Sequence, residues 1–171
     1  EVASLPGQGI ANASQPVLGY NYGAKEYQRV LEGIKFVTIC AVVMMLVIWF
    51  FVTIQSDFFI RIFSHNEELI QDGMIALRLY FFGFFMMAFQ MVGQAVAVGL
   101  GKSKQAVFFS VFRKVIIVAP LTVILPRFIG INGVFIAEAI SNFIGGGACY
   151  LTMWLTIGKN LSKKAKSSSN S

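Results

Sequence analysis

Residues 36–54 read FVTICAVVMMLVIWFFVTI, and no charged residue occurs in these 19 positions. A bilayer core about 30 Å thick takes roughly 20 apolar residues at helical rise. The stretch therefore predicts a spanning helix and sets the class of the chain. Composition agrees: 56% of the 171 residues are hydrophobic and 13% are charged. A soluble domain of ordinary composition carries about 25% charged residues. The apolar excess points to a domain solvated by lipid.

Outward from this stretch, residues 79–100 (LYFFGFFMMAFQMVGQAVAVGL) form a second uncharged run. It holds Gln90 and Gln94 and several Gly, all tolerated in membrane helices. A third candidate, 106–125, is interrupted by Arg113-Lys114 and by Pro120. A fourth, 128–157, contains Glu138 and Asn142. Residues 1–24 are small, polar and Gly-rich, and hydropathy alone assigns them no span.

Charge orders these segments. Lys and Arg accumulate on the cytoplasmic side of membrane proteins. With the tail and its Lys159, Lys163, Lys164 and Lys166 inside, alternation also places Lys102 and Lys104 inside, and Lys25, Arg29 and Lys35 as well. The outer side then receives Asp57, Glu67, Glu68 and Asp72 against Arg61. This arrangement requires residues 1–24 to cross as a fifth span. The expected spans are 3–24, 34–55, 72–100, 104–126 and 131–157, within one membrane lobe over 1–158. Ser64 and Glu67 have capping-box spacing, which predicts a helix start near residue 65. The tail 159–171 is Lys- and Ser-rich and is expected to be disordered.

The net charge of +6 is spread between apolar runs, which excludes a nucleic-acid footprint. Cys40 and Cys149 lie in apolar runs without metal-type spacing and read as small hydrophobes. His65 has no Cys partner, so no metal and no cofactor is expected. Nucleotide-loop and catalytic-triad patterns are absent, which points away from an enzyme. The run Gly145-Gly146-Gly147 has no following Gly-Lys-Ser/Thr and reads as a helix contact. The chain opens on Glu1 and reads as the continuation of a longer protein.

The stretch with the most specific chemistry is PGQGIANASQPVLGYNYGAK, from Pro6 to Lys25. Gly7, Gly9, Ala11, Ala13 and Ser14 permit close helix approach. Asn12 and Gln15 offer hydrogen bonds at membrane depth. Pro16 is expected to bend the helix, as is Pro120 in its own segment. A helix with so polar a face has to be shielded by other helices or to line a water-filled cavity. Glu138 is the other singular residue, an ionisable group about 8 Å inside the outer turn at helical rise. Two kinds of role are open to it: binding a cationic drug or taking part in a proton relay, or else pairing with Arg113, Lys114 or a neighbouring polar group or lying near the outer interface. The intramembrane polar candidates are thus Asn12, Gln15, Gln90, Gln94, Glu138 and Asn142. Met86, Met87 and Met91, with Phe84, Phe85 and Phe89, are either packing residues or a pliable ligand surface.

The stretch QPVLGYNYGAK, preceded by small residues and followed by Tyr27 and Arg29, resembles the multidrug and toxic compound extrusion (MATE) family. FIRIFSHNEELIQDGMIALRLYFFGFF resembles that family's outer loop and following spans. FQMVGQAVAVGLGKSKQA resembles its helix ending in a Gly-Lys turn, and RKVIIVAPLTVILPRFIGINGVFIAEAISNF its last two helices. The ordered set covers residues 5–158. The resemblance implies two six-helix lobes, with this chain giving part of the second. It implies antiport of amphipathic or cationic drugs against H+ or Na+ by alternating access in the plasma membrane of a bacterium, with the tail cytoplasmic. Membrane lipid and the absent first lobe are the other expected partners. One branch of the family carries an acidic residue in the helix equivalent to 74–100, but this chain has no carboxylate from Met74 to Gly101. A lipid or polysaccharide flippase of related plan, and a non-transporting scaffold subunit, are the alternatives.

Overall fold

The computed structural model describes residues 2–61, 67–130 and 132–168. His65 and the expected Ser64 cap lie outside the described residues. Everything described is helix, turn or short connector, with no strand among these residues. After a 3-10 turn at Val2–Ser4, the chain forms α1 (Leu5–Gly23) and α2 (Tyr27–Ile54). It continues through α3 (Ser56–Arg61), α4 (Glu67–Phe81), α5 (Met86–Gly99) and α6 (Ser103–Val111). A wide π turn at Phe112–Val118 leads into α7 (Ala119–Ile129). Then come α8 (Asn132–Met153), a second π turn at Trp154–Gly158, and α9 (Lys159–Ser168).

By length and apolarity, α2 is able to cross a membrane by itself. Gly73–Phe81 and Met86–Gly99 pass the same test together, bent by 43° at their junction. The uncharged run 79–100 is therefore not one straight helix. It breaks at residues 82–85, where Gly83 takes φ +79°. That left-handed conformation is open to glycine at little steric cost. Hydropathy does not register the break, because Phe and Gly leave the run uncharged.

Burial runs in the sense expected of a lipid-solvated bundle. The outer face of α2 exposes Phe36, Ile39, Val43, Phe50 and Phe51, and the α6–α7 segment exposes Val107, Val115, Val123 and Phe128. Inside, the buried set is rich in small residues, with Ala11, Ala41, Ala88, Ala95, Ala97, Ala137 and Ser141. Small side chains let helices approach closely where lipid offers no hydrophobic gradient between them. Two contacts make the point. A Cβ on Gly99 would lie 2.9 Å from the Gln15 carbonyl oxygen, and one on Gly19 would lie 2.8 Å from the Gly99 oxygen. These distances fix the α1–α5 crossing. Gly146 faces the Met86 carbonyl across the α5–α8 contact with no room for a Cβ, so the glycine run acts there as a helix contact.

Two departures from the sequence reading have physical causes. The tail expected to be disordered from residue 159 continues as α9. Leu161 is buried and α9 packs on α2, while Lys164 sits over the rings of Tyr22 and Tyr27 at 5.8 and 5.3 Å. One apolar anchor and a cation–π clamp order a segment whose composition is polar. The segment expected at 34–55 begins earlier, at Tyr27. Its first turns hold charged but helix-favouring residues that a hydropathy window leaves out.

Candidate functional site

The α1, α4–α5 and α8 helices and the α6–α7 segment surround a cleft of about 990 Å³. Five of the six polar candidates line it: Asn12 and Gln15 from α1, Gln90 and Gln94 from α5, and Glu138 from α8. The sixth, Asn142, is 1% exposed and lies one turn beyond Glu138, inside the helix packing rather than on the cleft wall. Spacing accounts for the grouping. Gln90 and Gln94 are four apart on α5, as are Gln8 and Asn12 on α1, so each pair shares one helix face.

The α1 wall is an amide ladder. Gln8 Nε2 donates to Ser4 Oγ at 3.3 Å, and Gln15 Nε2 donates to Asn12 Oδ1 at 3.0 Å. Pro16 follows within a helix that is continuous from Leu5 to Gly23. It supplies no N–H to the Asn12 carbonyl, which leaves an acceptor beside the ladder. The helix is continuous through Pro16, where a bend was expected. Pro120 falls in the first turn of α7, directly after the wide turn, where its missing donor costs the helix little.

On the α5 wall, Gln94 Nε2 is buried and has no hydrogen-bond partner among the described residues. A buried amide donor without a partner costs about 1–3 kcal/mol, so this group is an evident place for a ligand acceptor or a water. Gln90 is itself buried at 8% exposure, and its backbone carbonyl accepts from Cys149 Sγ of α8 at 3.9 Å.

The opposite wall carries a residue that the sequence reading named only as a possible partner of Glu138. Lys114 lines the cleft together with Ser110 and Thr122. Lys114 lies within the π turn, so a plain 3.6-residue wheel does not predict its direction. π turns inside α-helices recur at functional sites. The cleft therefore holds one acid and one base, Glu138 and Lys114. The side chain of Arg113, the other expected partner of Glu138, lies outside the described residues.

The methionine and phenylalanine cluster divides in two. Phe84, Met87 and Met91 face the cleft. Phe85 packs edge-on to Trp49 at 6.3 Å, and Phe89 edge-on to Tyr150 at 5.2 Å. Tyr150 OH also lies 3.1 Å from Thr38 Oγ1, joining α8 to α2 behind the cleft.

Apolar outer faces and a core of small residues define an α-helical membrane bundle, and an amide-lined cleft opens within it. The MatE family model matches residues 1–124. The chain belongs to this family, that of the MATE transporters.

Solved structures agree on the fold. An inward-facing multidrug resistance MATE family transporter of the MOP superfamily superposes with a TM-score of 0.86 at 20% identity, over 96% of this chain and 38% of that one. An outward-facing structure from the same description gives 0.84 at 19% identity, over 96% of this chain and 36% of that one. A mutant of the Vibrio cholerae MATE transporter VcmN gives 0.85 at 22% identity, over 94% of this chain and 37% of that one. The chain thus spans little more than a third of these relatives. No curated protein matches it.

Proposed function

We propose that the chain builds most of the second lobe of a two-lobe secondary transporter. This transporter exports amphipathic or cationic drug-like solutes in exchange for H+ or Na+. In this reading the lobe sits in the plasma membrane with α9 on the cytoplasmic side, and a first lobe encloses the open side of the cleft.

The observation that carries the reading is the convergence of Asn12, Gln15, Gln90, Gln94 and Glu138 on one cleft of about 990 Å³. Its amides offer hydrogen bonds, Met87, Met91 and Phe84 offer an adaptable apolar wall, and Glu138 offers the one carboxyl group among the described lining residues. Intramembrane ionisable groups mark substrate or ion paths by default. The similarity to both inward- and outward-facing relatives fits a lobe that moves largely as one body around a fixed site.

The test is efflux by the protein carrying both lobes. Glu138→Gln is expected to lower ethidium efflux about tenfold or more, the size of effect that follows from losing one charge-assisted contact. Efflux equal to the parent removes Glu138 from the mechanism. Vesicles holding this chain alone are expected to show no efflux, since alternating access needs two bundles.

Lys114 favours a second reading, a flippase for lipid or polysaccharide carriers, because anionic headgroups need a cation in the cleft. Under that reading Lys114→Gln abolishes transport and Glu138→Gln spares it. Under the drug-export reading the ranking is reversed.

A further inference from the structure

A small cavity lies at the opposite end of α5 from the Gly83 break. It has a volume of about 110 Å³ and is lined by Tyr22, Leu100, Lys102, Ile157, Asn160, Leu161 and Lys164. A single water needs about 10–15 Å³ on this measure, so a phosphate group has room. Among the described residues two lysines and no carboxylate line it.

Each lysine is held by its own local structure. The tight turn between α1 and α2 passes through Lys25 at φ 62°. It is closed by Ala24 N donating to Tyr20 O and Glu26 N donating to Asn21 O, both at 2.9 Å. This turn sets Tyr22 edge-on to Tyr27 with centroids 5.9 Å apart. The Lys164 ammonium rests on both rings. Ring faces attract a cation but accept no conventional hydrogen bond, so an oxyanion still has N–H donors to reach. Lys102 follows Gly101 at φ +73°, and its backbone N–H donates to Ala97 O at 2.7 Å. That pairing pins the α5–α6 turn beside α9. Asn160, whose Nδ2 donates to Thr156 O at 2.6 Å, adds a further polar group to the rim.

We propose that Lys102 and Lys164, brought together by the α5–α6 turn and α9, form a site for the phosphate of an anionic phospholipid headgroup at this end of the bundle. The site is separate from the cleft and independent of what the cleft carries. A lipid rather than a soluble anion is inferred from the surroundings. Leu100, Ile157 and Leu161 are buried and close the inner wall of the cavity, and the outer face of α2, which packs against α9, carries exposed large apolar residues from Phe36 onward for an acyl chain to lie on. Headgroup and acyl chain thereby meet surfaces of matching character. Basic pockets between membrane helices are recognised carriers of anionic headgroups.

The test uses the full-length protein purified in neutral detergent, titrated with phosphatidylglycerol, with phosphatidylcholine and with inorganic phosphate. Bound lipid is counted by native mass spectrometry and the thermal midpoint is followed for each variant against its own lipid-free value. Phosphatidylglycerol is expected to bind and raise the midpoint, with phosphatidylcholine weaker. Lys102→Gln and Lys164→Gln are each expected to weaken phosphatidylglycerol binding about fivefold, the contribution of one lysine near an anionic headgroup. Lys159→Gln with Lys166→Gln, on α9 but outside the cavity, is expected to leave binding within twofold. Lys102 has no ring contact, so Lys102→Gln alone decides if Lys164→Gln loosens α9. Equal losses in the cavity and control variants overturn the site in favour of diffuse attraction. Saturation by inorganic phosphate with no added gain from phosphatidylglycerol overturns the lipid assignment.

Discussion

The first two helices of the chain meet the membrane in opposite ways. α2 turns a broad apolar face outward and keeps Val30, Ile34, Ala41 and Met45 buried. α1 is shorter and polar, and it gives Gln8, Asn12 and Gln15 to the cleft. Both lie in one bundle and pack on each other. The difference lies in what solvates each helix: lipid for α2, and the cleft for one face of α1. Mean hydropathy detects the first and is blind to the second. In such a protein a helix too polar to face lipid, yet packed inside the bundle, is a place to look for a site.

This contrast can be broken at several points, and the largest effect is expected at the helix contacts. Gly146→Leu forces a side chain into the Met86 carbonyl, and overpacking of this kind costs about 1–3 kcal/mol or more. A thermal melt of the full-length protein in detergent is expected to show a clear fall, or loss of the monodisperse form. An unchanged midpoint means that α5 and α8 are not held by backbone approach. Next comes Gln94→Leu. It removes a buried amide that lacks a partner, so stability is expected to hold or to rise by about 1 kcal/mol. Efflux falls at the same time. A parallel loss of both says that Gln94 serves packing rather than the cleft.

Smaller effects sharpen the lipid side of the comparison. Tyr150→Phe removes the hydroxyl 3.1 Å from Thr38 Oγ1. Hydrogen bonds between membrane helices average about 0.6 kcal/mol, so a small drop in unfolding free energy is expected, with transport retained. Val43→Ala on the exposed face of α2 is expected to change stability by no more than about 0.5 kcal/mol. A larger change there points to a protein neighbour on that face instead of lipid.

Much of this was legible from residues alone, and the reasons are physical. α2 announced itself because 19 uncharged positions fit one thickness of bilayer. The polar candidates converged because amides placed three or four apart share a helix face. Three features were hidden. The break at 82–85 depends on the conformation of Gly83 inside an uncharged run, where hydropathy sees only apolar residues. Lys114 faces the cleft through a wide turn that has no sequence signature, so the pair Arg113-Lys114 read as an interruption of a span and as possible partners of Glu138, not as cleft lining. The helical tail depends on Leu161 and on the tertiary contact of Lys164 with two rings, and composition carries no record of either.

The wide turn at Phe112–Val118 also absorbs one residue without turning the helix beyond it. Each residue of an α-helix advances the chain by about 100°. Removing one residue between 112 and 118, so that the winding becomes regular, would leave α7 close to its present phase against α6, because the 7 residues of wider winding turn about as far as one residue fewer of α-helix. What changes is the wall within the turn itself, where Lys114 faces the cleft. A single-residue gap at this place in an aligned relative is therefore a readable sign that the wall between Ser110 and Thr122 presents a different set of side chains, while α7 beyond it keeps its facing.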